Sequence, residues 1–348
     1  MSQIVIHLVN PRKHAHFMNE HPGADLLAEK LAYLNAWSLL DNKPAAHWPA
    51  ALADLYSADV AWHGPHPINA HVGAANVVEK FWQPFLHAFP DLERRDDIVI
   101  AGSFKGGKWI AATGYYTATF TRDWLRIRAT GGVVNIRYGE FSRMDGGRVH
   151  EVYIIIDILD IMYQAGCWPV TLPKSRGPLD RVPGPVSRDG VAIILASTRE
   201  SDASLKLVEA MIKGLMEYDG ETLDSMAMER FWHPHMMWYG PAGIGSSRQL
   251  KGFQQVHQIP FLGAFPDRRG GDHKARIGDG AFVGSTGWPS VRATHRGTWQ
   301  GVPATNRAIS MRVMDFWRRE ENLLRETWVF IDMIELLLQM DIDVMASV

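Results

Sequence analysis

The sequence predicts an α+β protein built twice: two tandem domains, each with helices first and a curved, mostly antiparallel sheet after them. Three observations carry this. Phe81 to Asp91 (FWQPFLHAFPD) returns as His257 to Asp267 (HQIPFLGAFPD), with the shared skeleton P-F-L-x-A-F-P-D. Matching pairs flank it in unchanged order. Upstream, Trp62-x-Gly64-Pro65 matches Trp238-x-Gly240-Pro241. Downstream, Thr113-Gly114-Tyr115 matches Thr286-Gly287-Trp288, and Glu140-Phe141-x-Arg143 matches Asp315-Phe316-x-Arg318. Last, Glu151-x-Tyr153-x-x-Ile156-Asp157 matches Glu326-x-Trp328-x-x-Ile331-Asp332. In both copies helical periodicity gives way to β-branched and aromatic runs. A repeat this long is a whole domain rather than a solenoid unit, and helices stacked on one face of an antiparallel sheet are the α+β solution for burying both.

Taken in order, residues 1–23 lack periodicity and read as an N-terminal arm. The first domain spans 24–170. Leu26, Leu27, Leu31, Leu34, Trp37 and Leu40 fall near helical spacing, so 24–41 is an amphipathic helix. A second helix covers Pro49 to Tyr56, and a loop follows Trp62-x-Gly64-Pro65. Gly73 to Ala88 is a third helix, ended at Phe89-Pro90 because the residue before a proline avoids the helical region. Ile98–Ile100, Lys108–Tyr116, Val133–Arg143 and Arg148–Asp157 read as strands, with Asp145-Gly146 as a hairpin turn and Ile158–Ala165 as a short closing helix. Residues 171–199, with Pro173, Pro178, Pro183 and Pro185 among charges, form a Pro/Gly-rich linker. The second domain, 200–348, repeats the order: a helix capped at Ser201-Asp202 and running through Leu215, another near Glu221–Arg230, a third near Gln249–Leu262, and strands from Ala275 onward.

Composition bounds the function. The chain has 348 residues, 46% hydrophobic and 21% charged, with a net charge of −2. That suits two globular cores and leaves no basic patch to neutralise phosphates, so nucleic acid is not an expected partner. Cys167 is the only cysteine, which excludes an intrachain disulfide and fits a reducing compartment. No apolar run approaches the ~20 residues of a membrane span, and the opening residues do not form a signal peptide; a cytoplasmic protein without membrane contact is expected. Dinucleotide, phosphate-loop, zincin and serine-elbow motifs are absent, so no cofactor is expected.

Further motifs point to a family. His295-Arg296-Gly297-Thr298-Trp299-Gln300-Gly301-Val302-Pro303-Ala304-Thr305-Asn306-Arg307 is very close to a strand–loop pattern H-x-G-x-x-x-G-x-P-x-T-G-[KR], with Asn306 in place of the last glycine; the first half keeps Trp124, Ala129, Thr130 and Gly131 of it. Arg143 to Tyr153 followed by Asp157 is similar to a final strand pair R-x-x-D-G-K-I-x-[DE]-H-W-x-x-x-D, and so is Arg318 to Trp328 followed by Asp332, which lacks the glycine turn. With the F-P-D helix ends, each half resembles the SnoaL-like polyketide-cyclase branch of the NTF2-like superfamily. The resemblance covers nearly all of 24–165 and 200–342. It implies two tandem cone-shaped α+β barrels, each a bent sheet wrapped on a helix around an apolar pocket. It also implies pairing through the sheet, so that this chain is either a monomeric pseudo-dimer or a homodimer. The implied activity is cofactor-independent acid–base catalysis on a small, mostly apolar carbonyl or cyclic substrate, as a cyclase, lyase or isomerase. Two alternatives stay open: a non-catalytic small-molecule-binding protein, and one active half beside one structural half.

The candidate catalytic residues are four acids. Asp157 and Asp332 each end an apolar strand, where a charge is costly unless paired or used; the competing role is a helix N-cap. Glu140 and Asp315 sit mid-strand between apolar neighbours, with surface pairing to Arg137, Arg143, Arg312 or Arg318 as their structural alternative. In ring-closing cyclases that the chain resembles, a catalytic histidine lies near the Glu140 and Asp315 position. The acid–base aspartate lies shortly before the Asp157 and Asp332 position, where this chain has Ile154 and Val329. Glu140–Asp157 and Asp315–Asp332 are therefore the pairs expected to replace it. Substrate-binding candidates are Trp62, His63, Phe85, Phe89, Trp109 and Tyr153 in the first half, and Trp238, Tyr239, Phe261, Phe265, Phe282, His295 and Trp328 in the second. His63, His66 and His71 have zinc-like spacing, but the second copy carries Tyr239, Ala242 and Ser247 there, and no metal is expected. Glu151 and Glu326 are expected on an exposed strand face.

Overall fold

The computed structural model describes residues 23–41, 43–169, 181–194 and 196–347; the expected N-terminal arm, up to residue 22, and the start of the linker lie outside them. In the first half, α1 (Ala24–Asp41) and α2 (Trp48–Leu55) precede β1 (Tyr56–His63) and β2 (Ala70–Val72). A continuous helix follows, made of α3 (Ala74–Val77), a π turn (Val78–Trp82) and α4 (Gln83–Ala88). Then come β3 (Glu93–Phe104), β4 (Gly107–Thr119), β5 (Val133–Asp145), β6 (Arg148–Ile156) and α5 (Ile158–Gln164). The second half repeats this with α6 (Thr198–Leu215), β7 (Trp232–Tyr239), β8 (Ser246–Arg248) and α7 (Gln249–Phe253). After a π turn (Gln254–Gln258) it continues with α8 (Ile259–Ala264), β9 (Arg269–Gly270), β10 (His273–Asp279), β11 (Phe282–Thr294), β12 (Ala308–Glu320), β13 (Leu323–Ile331) and α9 (Met333–Gln339).

Each half folds its own sheet, in the spatial order β2-β1-β6-β5-β4-β3 and β8-β7-β13-β12-β11-β10, with β9 added on β11. The neighbours are antiparallel except β1 on β6 and β7 on β13, which are parallel. These are open curved sheets rather than closed barrels. The stretch after Trp62-x-Gly64-Pro65 is a loop as expected, residues 64–69, between β1 and β2. Glu221–Arg230 differs from the sequence expectation: it forms two short 3₁₀ turns (Leu223–Met226 and Met228–Arg230) instead of a helix. The π turns have a local cause. Pro84 and Pro260 sit inside the helical run, where proline lacks an N–H and crowds the carbonyl four residues back, so the ladder widens just before each.

The two sheets pack convex face to convex face. Ile98, Ile100, Trp109, Phe141, Tyr153 and Ile155 of the first meet Tyr239, Ile277, Phe282, Phe316, Trp328 and Phe330 of the second in one buried cluster. The approach is close enough that a Cβ on Gly139 would lie 3.0 Å from the Phe330 ring, and one on Gly284 would lie 3.0 Å from the Phe141 ring. Both glycines therefore serve the close approach of the two sheets, not a turn. Buried Lys30 on α1 adds a 2.7 Å ion pair to Asp279 on β10. The described part of the expected linker lies against this assembly: Val182 joins the cluster, Pro183 carbonyl accepts from Trp328 Nε1 at 2.9 Å, and Val191 pairs with Val99 on β3.

Candidate active site

Strand residues alternate between faces, so each sheet has a second, concave face turned toward its helices. In the second half that face carries Met311, Val313, Asp315 and Trp317 from β12 and Thr327, Val329 and Ile331 from β13. They border a cavity of about 200 Å³, lined also by Met211 and Leu215 of α6, Trp232 and Trp238 of β7, and Phe253, His257 and Phe261 of the helical run.

Asp315 is the carboxyl on this wall. No described residue hydrogen-bonds to it. Burial among apolar side chains pushes its pKa from 3.8 up to about 7, opposed only in part by the Arg276 guanidinium. Both protonation states are then populated near neutral pH. His257 lies in the π turn, stacked on Trp238 at 4.7 Å and flanked by Phe261 at 5.2 Å. Burial pushes its pKa down to about 4, so the imidazole is neutral. The site thus holds a poised acid and a neutral hydrogen-bonding ring.

The same register in the first half is filled. Glu140 occupies the place of Asp315, but its Oε1 accepts from the Tyr33 hydroxyl at 2.7 Å and from Ser142 Oγ at 2.7 Å. Its Oε2 accepts from Arg94 at 3.1 Å. Buried Arg94 also pairs with Asp96 at 2.9 Å, and its guanidinium stacks 4.0 Å from the Trp37 ring and 4.6 Å from Tyr138. At the places of Val313, His257 and Met211 this half carries Tyr138, Phe81 and Trp37, all buried. Larger side chains and a satisfied ion-pair network occupy the space that the second half leaves open.

The structure corrects several sequence expectations. Asp157 and Asp332 do not face the cavities or pair with Glu140 and Asp315. Asp157 Oδ1 caps α5 through the Asp160 N–H at 3.2 Å, and its Oδ2 accepts from the Ala242 N–H of the other half at 2.8 Å. Asp332 does the reciprocal thing: Oδ1 accepts from the Glu335 N–H at 3.3 Å, Oδ2 from the His66 N–H and from Arg312, both at 3.0 Å. Burial leaves both carboxyls above the ordinary carboxylate value, and those donors offset it only in part. They are helix caps that latch the halves together.

Trp109, Tyr153, Tyr239, Phe282 and Trp328 sit in the convex interface, not in a pocket. His63 stacks on Tyr153 at 4.5 Å on that side, and Tyr239 lies tilted against Trp328 at 5.5 Å. The reason is the two-residue strand period, since Tyr153 and Trp328 share a face with Asp157 and Asp332, opposite Ile154 and Val329. Trp62, Phe85 and Phe89 are buried on the concave side of the first half, but as core: Trp62 meets Phe81 at 4.8 Å, and Phe85 meets Tyr116 at 5.7 Å and Trp124 at 5.2 Å. Phe265 packs against Trp299 and His295, each at 5.6 Å, and His295 Nδ1 bonds Thr305 Oγ1 at 3.1 Å, tying the 295–307 loop together. Of the expected site residues, Asp315, Trp238 and Phe261 meet at the cavity. Glu326 is buried, paired with Arg318 at 2.5 Å, rather than exposed.

His257, Trp232 and Thr327 were not among the expected site residues. A signal for His257 lies in the repeat itself, where a histidine stands in place of Phe81 inside an otherwise shared helix. His63 and His71 are turned to different neighbours, Tyr153 and Trp62. Among the described residues no three His, Cys, Asp or Glu side chains gather as a metal site. No described helix is long and apolar enough to cross a membrane.

Bent sheets cupping a helical run around one small apolar cavity define an NTF2-like protein. The model of the SnoaL-like polyketide cyclase family matches residues 31–165 and again 215–340; the chain belongs to that family, in tandem. Similar solved structures include AclR, a putative hydroxylase from Streptomyces galilaeus, with 22% identity over 41% of this chain and 99% of that one and a TM-score of 0.33. Others are IdmH, a putative polyketide cyclase from Streptomyces antibioticus (19% identity, 40% and 99% covered, TM-score 0.32), and a putative polyketide cyclase from Xanthomonas campestris pv. campestris (17%, 40% and 98%, 0.34). No curated protein matches the chain.

Proposed function

We propose that the second half is a cofactor-independent acid–base enzyme, a cyclase, lyase or isomerase acting on a small, mostly apolar carbonyl compound, and that the first half is its structural partner. The observation that carries this is the contrast between equivalent acids: Asp315 borders an apolar cavity with no hydrogen-bond partner among the described residues, while Glu140 is held by Tyr33, Ser142 and Arg94. In this reading Asp315 as carboxylate removes a proton from the carbon beside the substrate carbonyl. The enolate oxygen accepts a hydrogen bond from the neutral His257 ring or the Thr327 hydroxyl. Protonated Asp315 then returns the proton to the new position. A pKa near working pH is what such a group requires. The pairing of convex faces within one chain makes the molecule its own pseudo-dimer.

Asp315→Asn keeps the size and removes the titration. Turnover of a responsive carbonyl substrate is expected to fall by ~10²–10⁴, with the ionisation near pH 7 gone from the rate profile. Unchanged turnover in that variant refutes the catalytic role, and retained ligand binding would then make the cavity a binding module.

A further inference from the structure

The cavity wall also indicates what size and chemistry of substrate it takes, an inference that rests on reading it as a substrate site. Besides Asp315, three polar groups on side chains that border it lack a protein partner among the described residues: the Trp232 indole N–H, the Thr327 hydroxyl and His257 Nδ1. An unpaired group of this kind in an apolar interior is costly to keep. The fold does not demand them. The first half has Val152 and Phe81 at the places of Thr327 and His257, and Tyr56 at the place of Trp232 accepts from Trp82 Nε1 at 3.1 Å. Thr327 pairs across strands with Trp317, and Asp315 with Val329, so Thr327 and Asp315 are diagonal neighbours on the concave face. Side chains in that relation stand roughly 7–8 Å apart on one face, so adjacent atoms of one ligand can lie between them.

Size sets the other limit. A cavity of ~150 Å³ holds benzene, and drug-sized ligands use ~300 Å³ or more. At about 200 Å³ the second-half cavity accommodates one ring with a short substituent. We propose that it takes a single-ring ketone whose oxygen and adjacent carbon lie against Thr327 and Asp315, with the ring between Trp238, Phe253 and Phe261, and that fused polycyclic compounds are excluded.

Calorimetric titration of the full chain with acetophenone, ethylbenzene and anthrone tests this. Acetophenone is expected to bind, ethylbenzene to bind more weakly, and anthrone not to bind. Thr327→Val, close to isosteric, should weaken acetophenone by about 2–10-fold, the worth of one hydrogen bond, and leave ethylbenzene within about twofold. His257→Phe, which copies the first-half residue into the cavity, should abolish binding of both. Anthrone binding as tightly as acetophenone, an equal Thr327→Val effect on both one-ring compounds, or no binding by any of the three overturns the proposal. This outcome is separate from the acid–base reading: that reading fails only if Asp315→Asn leaves turnover unchanged, and the ligand ladder is read without turnover.

Discussion

Asp315 should cost the protein stability, and that cost can be measured before any substrate is known. In the unfolded chain its carboxyl ionises near 3.8, in the folded protein near 7. The folded state therefore holds its proton more tightly. The sign follows from linkage: stability falls as pH rises through this window, is unaffected by this group below the unfolded value, and carries the full penalty above the folded one. The difference corresponds to a ceiling of roughly 4 kcal/mol, and water reaching the cavity reduces it to on the order of 2–4 kcal/mol. Asp315→Asn removes the titration. Denaturant unfolding of both proteins at about pH 4 and about pH 8 should show near-equal stability at the lower pH, and the Asn variant ahead by that amount at the higher one. A gap that does not change between the two pH values, or a wild type more stable than the variant at high pH, refutes the cavity-buried carboxyl. A group kept at such a cost fits a functional site, and loss of turnover with gain of stability is a combination a purely structural acid does not produce.

Other perturbations follow from the same geometry. Asp332→Ala removes a helix cap and the latch to the His66 N–H, and strands Arg312; about 2–4 kcal/mol should be lost in urea unfolding, and Asp157→Ala should cost a similar amount through Asp160 and Ala242. Neither should change the pH profile of turnover in the fraction that remains folded. Glu140→Gln breaks a buried, hydrogen-bonded ion pair with Arg94, and a loss of about 3–5 kcal/mol is expected; a neutral effect would mean that the first half is not held by this network. His257→Phe should raise the melting temperature, since an unpaired ring nitrogen is replaced by the residue the first half uses, while binding of one-ring ligands disappears.

How much of this was legible beforehand differs by element. The duplication, the helix at 24–41, the helical run ended by Phe-Pro-Asp and the hairpin at Asp145-Gly146 rest on local periodicity and backbone chemistry, and local signals survive folding. Of the candidate site, Asp315, Trp238 and Phe261 were found because an acid or a large aromatic at a repeated position is visible in one dimension. His257 was visible only as a difference between the repeats.

What the chain could not disclose alone was which face of each strand is concave. Ordinarily one face is polar and the hydrophobic alternation decides. Here both faces are apolar, because helices bury one and the other half's sheet buries the second: Tyr153 and Ile155 are as hydrophobic as Ile154 and Ile156. Tertiary pairing of the two convex faces alone assigned Tyr153 and Trp328 to the interface, turned Asp157 and Asp332 into latches between halves, and left Asp315 facing the cavity. The repeat likewise marked Glu140 and Asp315 as equivalent. Only side-chain volume in three dimensions, with Trp37, Phe81 and Tyr138 against Met211, His257 and Val313, decided that one is locked in a network and the other borders open space.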